Sequence, residues 1–371
     1  MRVLSRVLAI ALLGCSRGQE TAPVALTCPT PLADAALEGP IADRLTAYLD
    51  SGQALLLGEH HGQVAEVALL LDLVGHLQMP TMVAMELLPA SQQAELDALV
   101  SADTFSHKAW MGVVGDRYWP APLHVSEYED VARAVWSRRQ DGVDVRLVGL
   151  APDCRLPPSP SASDRSTALT CFGDRDASML TILRGARATH PDHALVVSAG
   201  WRHVSKVRLP SAPKALGELW PRHWPATRVL LSAPERALDT GGWVSTCGSG
   251  PTELASAHRK PISIALSVPP GAALQLGDCV DLPKPDGRPL HEAFDLLVGL
   301  AKGTAPTPLD EDDFALVDPE DRAAWARTRT VLMGHDSAPS TPAGWAAWAH
   351  EDVSVLSAQL QSAPGCHDAL P

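Results

Sequence analysis

Ala54-Leu-Leu-Leu-Gly-Glu-His-His-Gly62 decides how this chain is read. An apolar run ends in glycine, and a carboxylate and two imidazoles follow at once. Continuous apolarity fits a strand buried on both faces, as in a parallel sheet covered by helices. Such a strand delivers whatever follows it to the carboxyl edge of the sheet, where α/β proteins place their chemistry.

The form recurs downstream. Thr81-Met-Val-Ala-Met-Glu86 is a second apolar run ending in a carboxylate. Asp144 to Leu150 is a third strand, and Ala194 to Gly200 a fourth, followed by Trp201-Arg202-His203. Thr227 to Ser232, Pro261 to Ser267 and Phe294 to Gly299 are further candidates. Apolar residues at helical spacing fill Ile41 to Leu49, Val64 to Leu77, Ser91 to Val100, Val125 to Arg139 and Asp174 to Thr189. Pro80 stops the second of these, Asp141-Gly142 ends the fourth, and Asp174 is placed to cap the fifth. In the third, Gln92, Gln93 and Glu95 belong to the wet side. Ser106 to Tyr118 reads as less regular, and Ala151 to Thr170 as a loop rich in Pro, Ser and Asp. Alternating strands and helices give an α/β fold, a mostly parallel sheet flanked by helices. From residue 303 to 371 the composition shifts to an acidic, proline-bearing stretch and two helices, Trp325 to Met333 and Trp345 to Gln361. This is a helical or irregular appendage packed on the main domain, not a second catalytic unit.

The chain has 371 residues and a formal charge of −13, which argues against nucleic-acid partners and against electrostatic docking on anionic lipid. Residues 1–14 read as a signal peptide: two arginines, then a short apolar run. Leu12-Leu-Gly-Cys15 resembles the lipobox of bacterial lipoproteins, which implies a lipid on Cys15 and a tether over residues 15–45. By the same resemblance, the absence of Asp after Cys15 implies the outer membrane of a Gram-negative envelope. The α/β domain then spans residues 46–302. Six further cysteines in an oxidising compartment suggest disulfides. The expected pairs are Cys154–Cys171, Cys247–Cys279 and Cys28–Cys366.

In an open parallel sheet, the residues after successive strands meet on one edge. That brings Glu59 and His61, Glu86, Asp153 and His203 toward one cleft. Each has a bland reading as well. Glu59 could satisfy helix N-terminal donors, His61 could be a surface imidazole, Arg175 could be a structural ion pair for Glu59 or Glu86, and Asp153 a turn residue. The other histidines show no spacing that suggests a site.

Four segments carry a family resemblance. Gly58-Glu-His-His61 resembles the G-E-x-H motif of the ChaN-like haem-binding uptake proteins. Val83-Ala-Met-Glu86, Arg175-Asp-Ala-Ser-Met179 and Ala199-Gly-Trp-Arg-His203 resemble later motifs in the same order. The erythromycin-esterase and Tiki families share the broad architecture. The resemblance implies a site of Glu59, His61, Glu86, Arg175 and His203, with His60 in the variable position. It covers Leu55 to about Leu209. The family's further histidine is Glu66 here, and an axial phenolate for haem would have to come from Tyr48, Tyr118 or Tyr128.

Two functions follow. The first is an envelope lipoprotein that binds haem or iron through His61 and His203. The second is a hydrolase of esterase or protease type. There His61 or His203 is the base, Glu59 or Glu86 orients water or binds a metal, and Arg175 meets developing negative charge. Glu59, His61, Glu86 and His203 would suit a divalent ion such as Zn²⁺ or Mn²⁺. A scaffold without chemistry is a third reading. The expected partners are haem or another small molecule and, through Cys15, the membrane; a homodimer is left open.

Overall fold

A computed structural model of the chain describes residues 41–50, 52–59, 61, 64–115, 126–154, 156, 159, 161–206, 215–220, 227–234, 264–267, 294–300, 306–333, 339 and 341–361. The strands are β1 (Ala54–Glu59), β2 (Thr81–Pro89), β3 (Val145–Ala151), β4 (Ala194–Gly200), β5 (Thr227–Pro234), β6 (Ile264–Ser267) and β7 (Leu296–Leu300). They form one sheet in the order β3-β2-β4-β1-β5-β7-β6. All neighbours are parallel except β6, which runs antiparallel to β7 at the edge. The α/β reading holds, with a mostly parallel sheet flanked by helices.

The helices are α1 (Ile41–Asp50), α2 (Val64–His76), α3 (Gln93–Ser101), α4 (His107–Gly115), α5 (Glu127–Gln140), α6 (Ala162–Gly173), α7 (Arg175–Thr189), α8 (Trp201–Val204), α9 (Leu216–Leu219), α10 (Glu311–Ala315), α11 (Pro319–Met333) and α12 (Pro342–Gln361). From β1 the chain moves outward through β2 to β3, returns to insert β4 between β2 and β1, and continues on the other side with β5. Crossovers of one hand in opposite directions put their helices on opposite faces. Accordingly α2 packs with α1 and α5, whereas α7 packs with α9. The reversal lies between β1 and β4, where ligands bind in open α/β sheets.

Burial explains the continuous apolar runs. Leu55 and Leu56 are fully buried, and each contributes roughly 2 kcal/mol by leaving water. Gly142 ends α5 with φ 87°, a conformation that suits glycine. Gly149 is required by close approach: a Cβ there would lie 2.4 Å from the Pro89 carbonyl oxygen.

Several expectations are corrected. Residues 107–115 form a helix, because Trp110, Met111, Val113 and Val114 bury one side and Ser106 Oγ accepts the Ala109 N–H at its start. Half of the expected loop after Ala151 is α6, nucleated by a capping box between Ser161 and Asp164. Asp174 makes no side-chain cap on α7, since α6 runs directly into it. Gln93 turns inward, its amide donating to Leu147 O and accepting from Gly149 N along the open edge of β3. Glu86 does not end its strand. β2 continues to Pro89, with its pairing to β3 shifting register between Met85 and Pro89.

The stretch after residue 303 packs on the main body through a shared core. Leu309, Phe314, Val317, Trp345, Ala346 and Ala349 belong to the same buried cluster as α2 and α5 residues. Within the acidic stretch, α10 is started by a capping box between Asp310 and Asp313. Cys154 and Cys171 form the expected disulfide. The other two expected pairs, Cys15 and the signal peptide lie outside the described residues. Among the described residues no helix is long and apolar enough to cross a membrane.

Candidate functional site

Register places the first three groups. Glu59 closes β1 beside Gly200 of β4, and Ser198 of β4 lies level with Met85 of β2. Beyond that pair β2 departs from regular pairing, and the Glu86 carboxylate takes the Gly200 N–H at 2.7 Å. His61 follows β1 after one residue, and His203 sits on the single turn of α8 after β4. Arg175 and Asp176 open α7.

The structure brings Glu59, His61, Glu86, Arg175 and His203 together. His61 Nδ1 donates to Glu59 Oε1 at 2.8 Å. Tyr128 Oη donates to the same oxygen at 3.2 Å, and Ser198 Oγ donates to Glu59 Oε2 at 2.7 Å. On the other side, Asp176 meets His203 Nδ1 with both oxygens at 2.9 Å and accepts the Leu216 N–H at 2.8 Å. Glu86 stands between the two imidazoles. Its Oε2 is 3.5 Å from His61 Nε2, and its Oε1 is 3.3 Å from His203 Nε2 and 3.8 Å from Arg175 Nε. An Arg175 guanidinium N–H donates to His203 Nε2 at 2.5 Å. That bond needs a lone pair on Nε2, which assigns the His203 proton to Nδ1, facing Asp176.

The groups are buried but not sealed. Glu59, Glu86, Asp176 and His203 are under a tenth exposed, while the His61 and Arg175 side chains are 19% and 22% exposed. Gly200 makes room for both imidazoles: a Cβ there would lie 3.0 Å from His61 Nε2 and 3.4 Å from His203 Cδ2. Burial pulls the His61 pKa down, but the Glu59 hydrogen bond and the Glu86 and Glu59 charges outweigh it, and the pKa is raised. Burial also pushes Glu86 upward, yet His203, His61, Arg175 and the Gly200 N–H together hold its carboxyl down at about 2.

Asp176, Ser198 and Tyr128 are the partners that strand-end reasoning passed over. Asp176 was adjacent to Arg175, and Ser198 was the polar residue in an otherwise apolar strand. Tyr128 enters the site as a hydroxyl donor and not as an axial phenolate. Asp153 is exposed after β3, and His60 lies outside the described residues. Glu66, at the position where the resemblance implies a histidine, is buried on α2.

His203 Nε2 accepts from Arg175, and His61 Nε2 faces Glu86 Oε2 at 3.5 Å. The Tyr128 hydroxyl donates to Glu59, and Tyr48 packs against the hydrophobic core; Tyr118 lies outside the described residues. In this arrangement neither His203 Nε2 nor the Tyr128 hydroxyl is turned outward as an axial haem ligand. For a divalent ion, the Arg175 guanidinium occupies the approach to His203 Nε2 in this arrangement. Among the described residues no group of three or more His, Cys, Asp or Glu is set to hold one.

No family profile matches the chain, and no curated protein matches it. Solved structures similar to it include an erythromycin esterase mutant in its open conformation, at 12% identity and TM-score 0.48, covering 71% of this chain and 94% of that one. A succinoglycan biosynthesis protein is similar at 12% identity and TM-score 0.49, covering 75% of this chain and 96% of that one. ChaN of Campylobacter jejuni, described with cofacial haem binding, is similar at 16% identity and TM-score 0.33, covering 51% of this chain and 85% of that one.

Proposed function

We propose that the chain is a hydrolase that adds water to an ester-type carbonyl by general acid–base catalysis. The observation carrying this reading is the unbroken series Glu59–His61···Glu86···His203–Asp176, in which each imidazole is held at Nδ1 by its own buried carboxylate and turns Nε2 toward a shared third. Two titratable groups of one kind held in different proton states form an acid and a base.

His203 is the base, kept by Asp176 in the tautomer with a lone pair on Nε2. His61 is the acid, kept protonated by Glu59 and Glu86. A substrate carbonyl oxygen draws the Arg175 guanidinium onto itself and so frees His203 Nε2. His203 then takes a proton from water as the water oxygen bonds the carbonyl carbon, and Arg175 faces the oxyanion that forms. The carbon–oxygen bond to the leaving group breaks as His61 donates its Nε2 proton to the departing oxygen. The products are an acid and an alcohol, and transfer of the proton from His203 back to His61 restores the start. Each acid–base contribution is on the order of a hundredfold to ten-thousandfold.

Haem or iron binding in the same cleft is supported by the motif resemblance but not by the donor set. The experiment is to assay the purified chain against a panel of simple esters, with a haemin titration in parallel. Ester turnover lost in His203→Ala and in His61→Ala supports the hydrolase. No turnover, with a Soret shift that the two substitutions abolish, supports the binder.

The leader and Cys15 are proposed to anchor this domain in the outer membrane of a Gram-negative envelope. Failure of a Cys15→Ser variant to lose fatty-acid labelling would count against the anchor.

A further inference from the structure

The segment after residue 306 is fastened to the body around the first turn of α5. Ser126 N–H donates to Thr307 O at 3.0 Å, and Thr307 N–H donates to Glu127 Oε1 at 2.9 Å. His107 of α4 bridges the remaining gap, with Nε2 2.9 Å from Asp313 Oδ1 of α10 and Nδ1 2.6 Å from Glu129 Oε2 of α5. Arg133 donates to the other Glu129 oxygen at 2.6 Å.

Residues 126, 127 and 129 are therefore tied down on both sides of Tyr128. Tyr128 is buried, and its hydroxyl reaches Glu59 in the site. The 3.2 Å separation is long for a hydroxyl–carboxylate bond, so a small displacement of this turn breaks it. The bond falls on Glu59 Oε1, the oxygen that also accepts from His61.

We propose that the C-terminal segment is a positioning element of the site: through Thr307 and Asp313 it holds the first turn of α5, and so sets Tyr128 on Glu59. Its catalytic meaning rests on the acid–base reading above, whereas the mechanical link does not. The link depends on protonation as well. Contact of both His107 ring nitrogens with carboxylates requires two N–H donors, hence the imidazolium. The charged groups facing it are Glu129 and Arg133 on α5, and Asp313 with its capping partner Asp310 at α10. Deprotonation leaves one donor for two acceptors.

The chain has three tyrosines, so the full protein labelled with 3-fluorotyrosine gives three ¹⁹F resonances, and Tyr128→Phe identifies one. Glu59→Gln marks where that resonance moves when its acceptor changes. The expected result is that His107→Ala and Asp313→Ala, two independent cuts of the bridge, each move the Tyr128 resonance toward that position. The other two resonances and the circular dichroism should stay in place. Each cut should also lower kcat several-fold with KM unchanged, and neither should add to the loss in Tyr128→Phe. A Tyr128 resonance unmoved by both cuts, or a full additive loss of kcat, overturns the proposal. A moved resonance in a chain that hydrolyses nothing upholds the positioning role and overturns the hydrolase.

Discussion

Asp176 holds His203 from below, both carboxylate oxygens lying 2.9 Å from Nδ1, while the Leu216 N–H fixes the carboxylate in turn. The partners come from the start of α7 and from α8, 27 residues apart in the chain. The bond dictates the tautomer, and the tautomer dictates which nitrogen faces the cleft.

Asp176→Asn keeps the shape and removes the charge that holds Nδ1–H. A hundredfold or larger fall in kcat/KM is expected, on the order of an acid–base contribution. Steady-state hydrolysis checks this, and the ¹⁵N shifts of the His203 ring should show the proton redistributed to Nε2. Retention of both rate and tautomer would remove Asp176 from the mechanism.

Gly200→Ala separates function from stability. Backbone φ at Gly200 is −51°, which alanine adopts, and the roughly 0.4–1 kcal/mol gained through the unfolded chain is set against the contacts that a displaced His61 loses. The new Cβ meets His61 Nε2 at 3.0 Å and pushes the imidazole off Glu86. Loss of hydrolysis with little change in Tm is expected. A drop in both together would point to a packing role instead.

Acid stability follows from Glu86. Its folded pKa is lowered from 4.5 to about 2, so it contributes stability above pH 4.5 that is lost as pH falls toward 2. The full contribution is on the order of 3 kcal/mol. His61 has the opposite sign. Its raised pKa contributes stability at pH below 6.5, lost as pH rises through the folded value. Urea unfolding across pH should show both limbs, with the acid limb flattened in Glu86→Gln. An acid limb of unchanged steepness in that variant would show that Glu86 does not carry it.

The sequence made the sheet and the strand-end residues legible for one physical reason. A strand buried on both faces must be apolar throughout, so a Glu or His at its end stands out. Glu59, Glu86 and His203 were found that way. Arg175, on a helix, was named only through the family resemblance, and two further helical groups were not found. Tyr128 faces inward from a helix whose period is the same whether an aromatic packs or donates a bond, and Asp176 resembles any acidic residue in a first turn. α6 was hidden by its Ser- and Asp-rich composition, although Ser161 and Asp164 have the spacing of a capping box. The residues that carry the shared core were hidden because Phe314 sits in an acidic run and Trp345 in an Ala-rich helix, both far in sequence from the α2 and α5 residues of the same cluster.

That shared core is tested by Phe314→Ala. Phe314 is fully buried and stacks on Trp345 at 6.1 Å. The substitution should cost roughly 3–5 kcal/mol in a single cooperative transition. Two transitions, with the larger one unaffected, would mean that residues after 303 fold as a separate unit.

The most direct measurement is the turnover of simple aryl and alkyl esters by the purified chain, followed as a function of pH beside His61→Ala and His203→Ala. Hydrolysis should rise and fall in a bell between a base that must be neutral and an acid that must be protonated, and each substitution should remove one limb together with at least a hundredfold of the rate. Ester hydrolysis no faster than buffer, or rates that the two substitutions leave unchanged, would contradict an acid–base site built on Glu59–His61···Glu86···His203–Asp176.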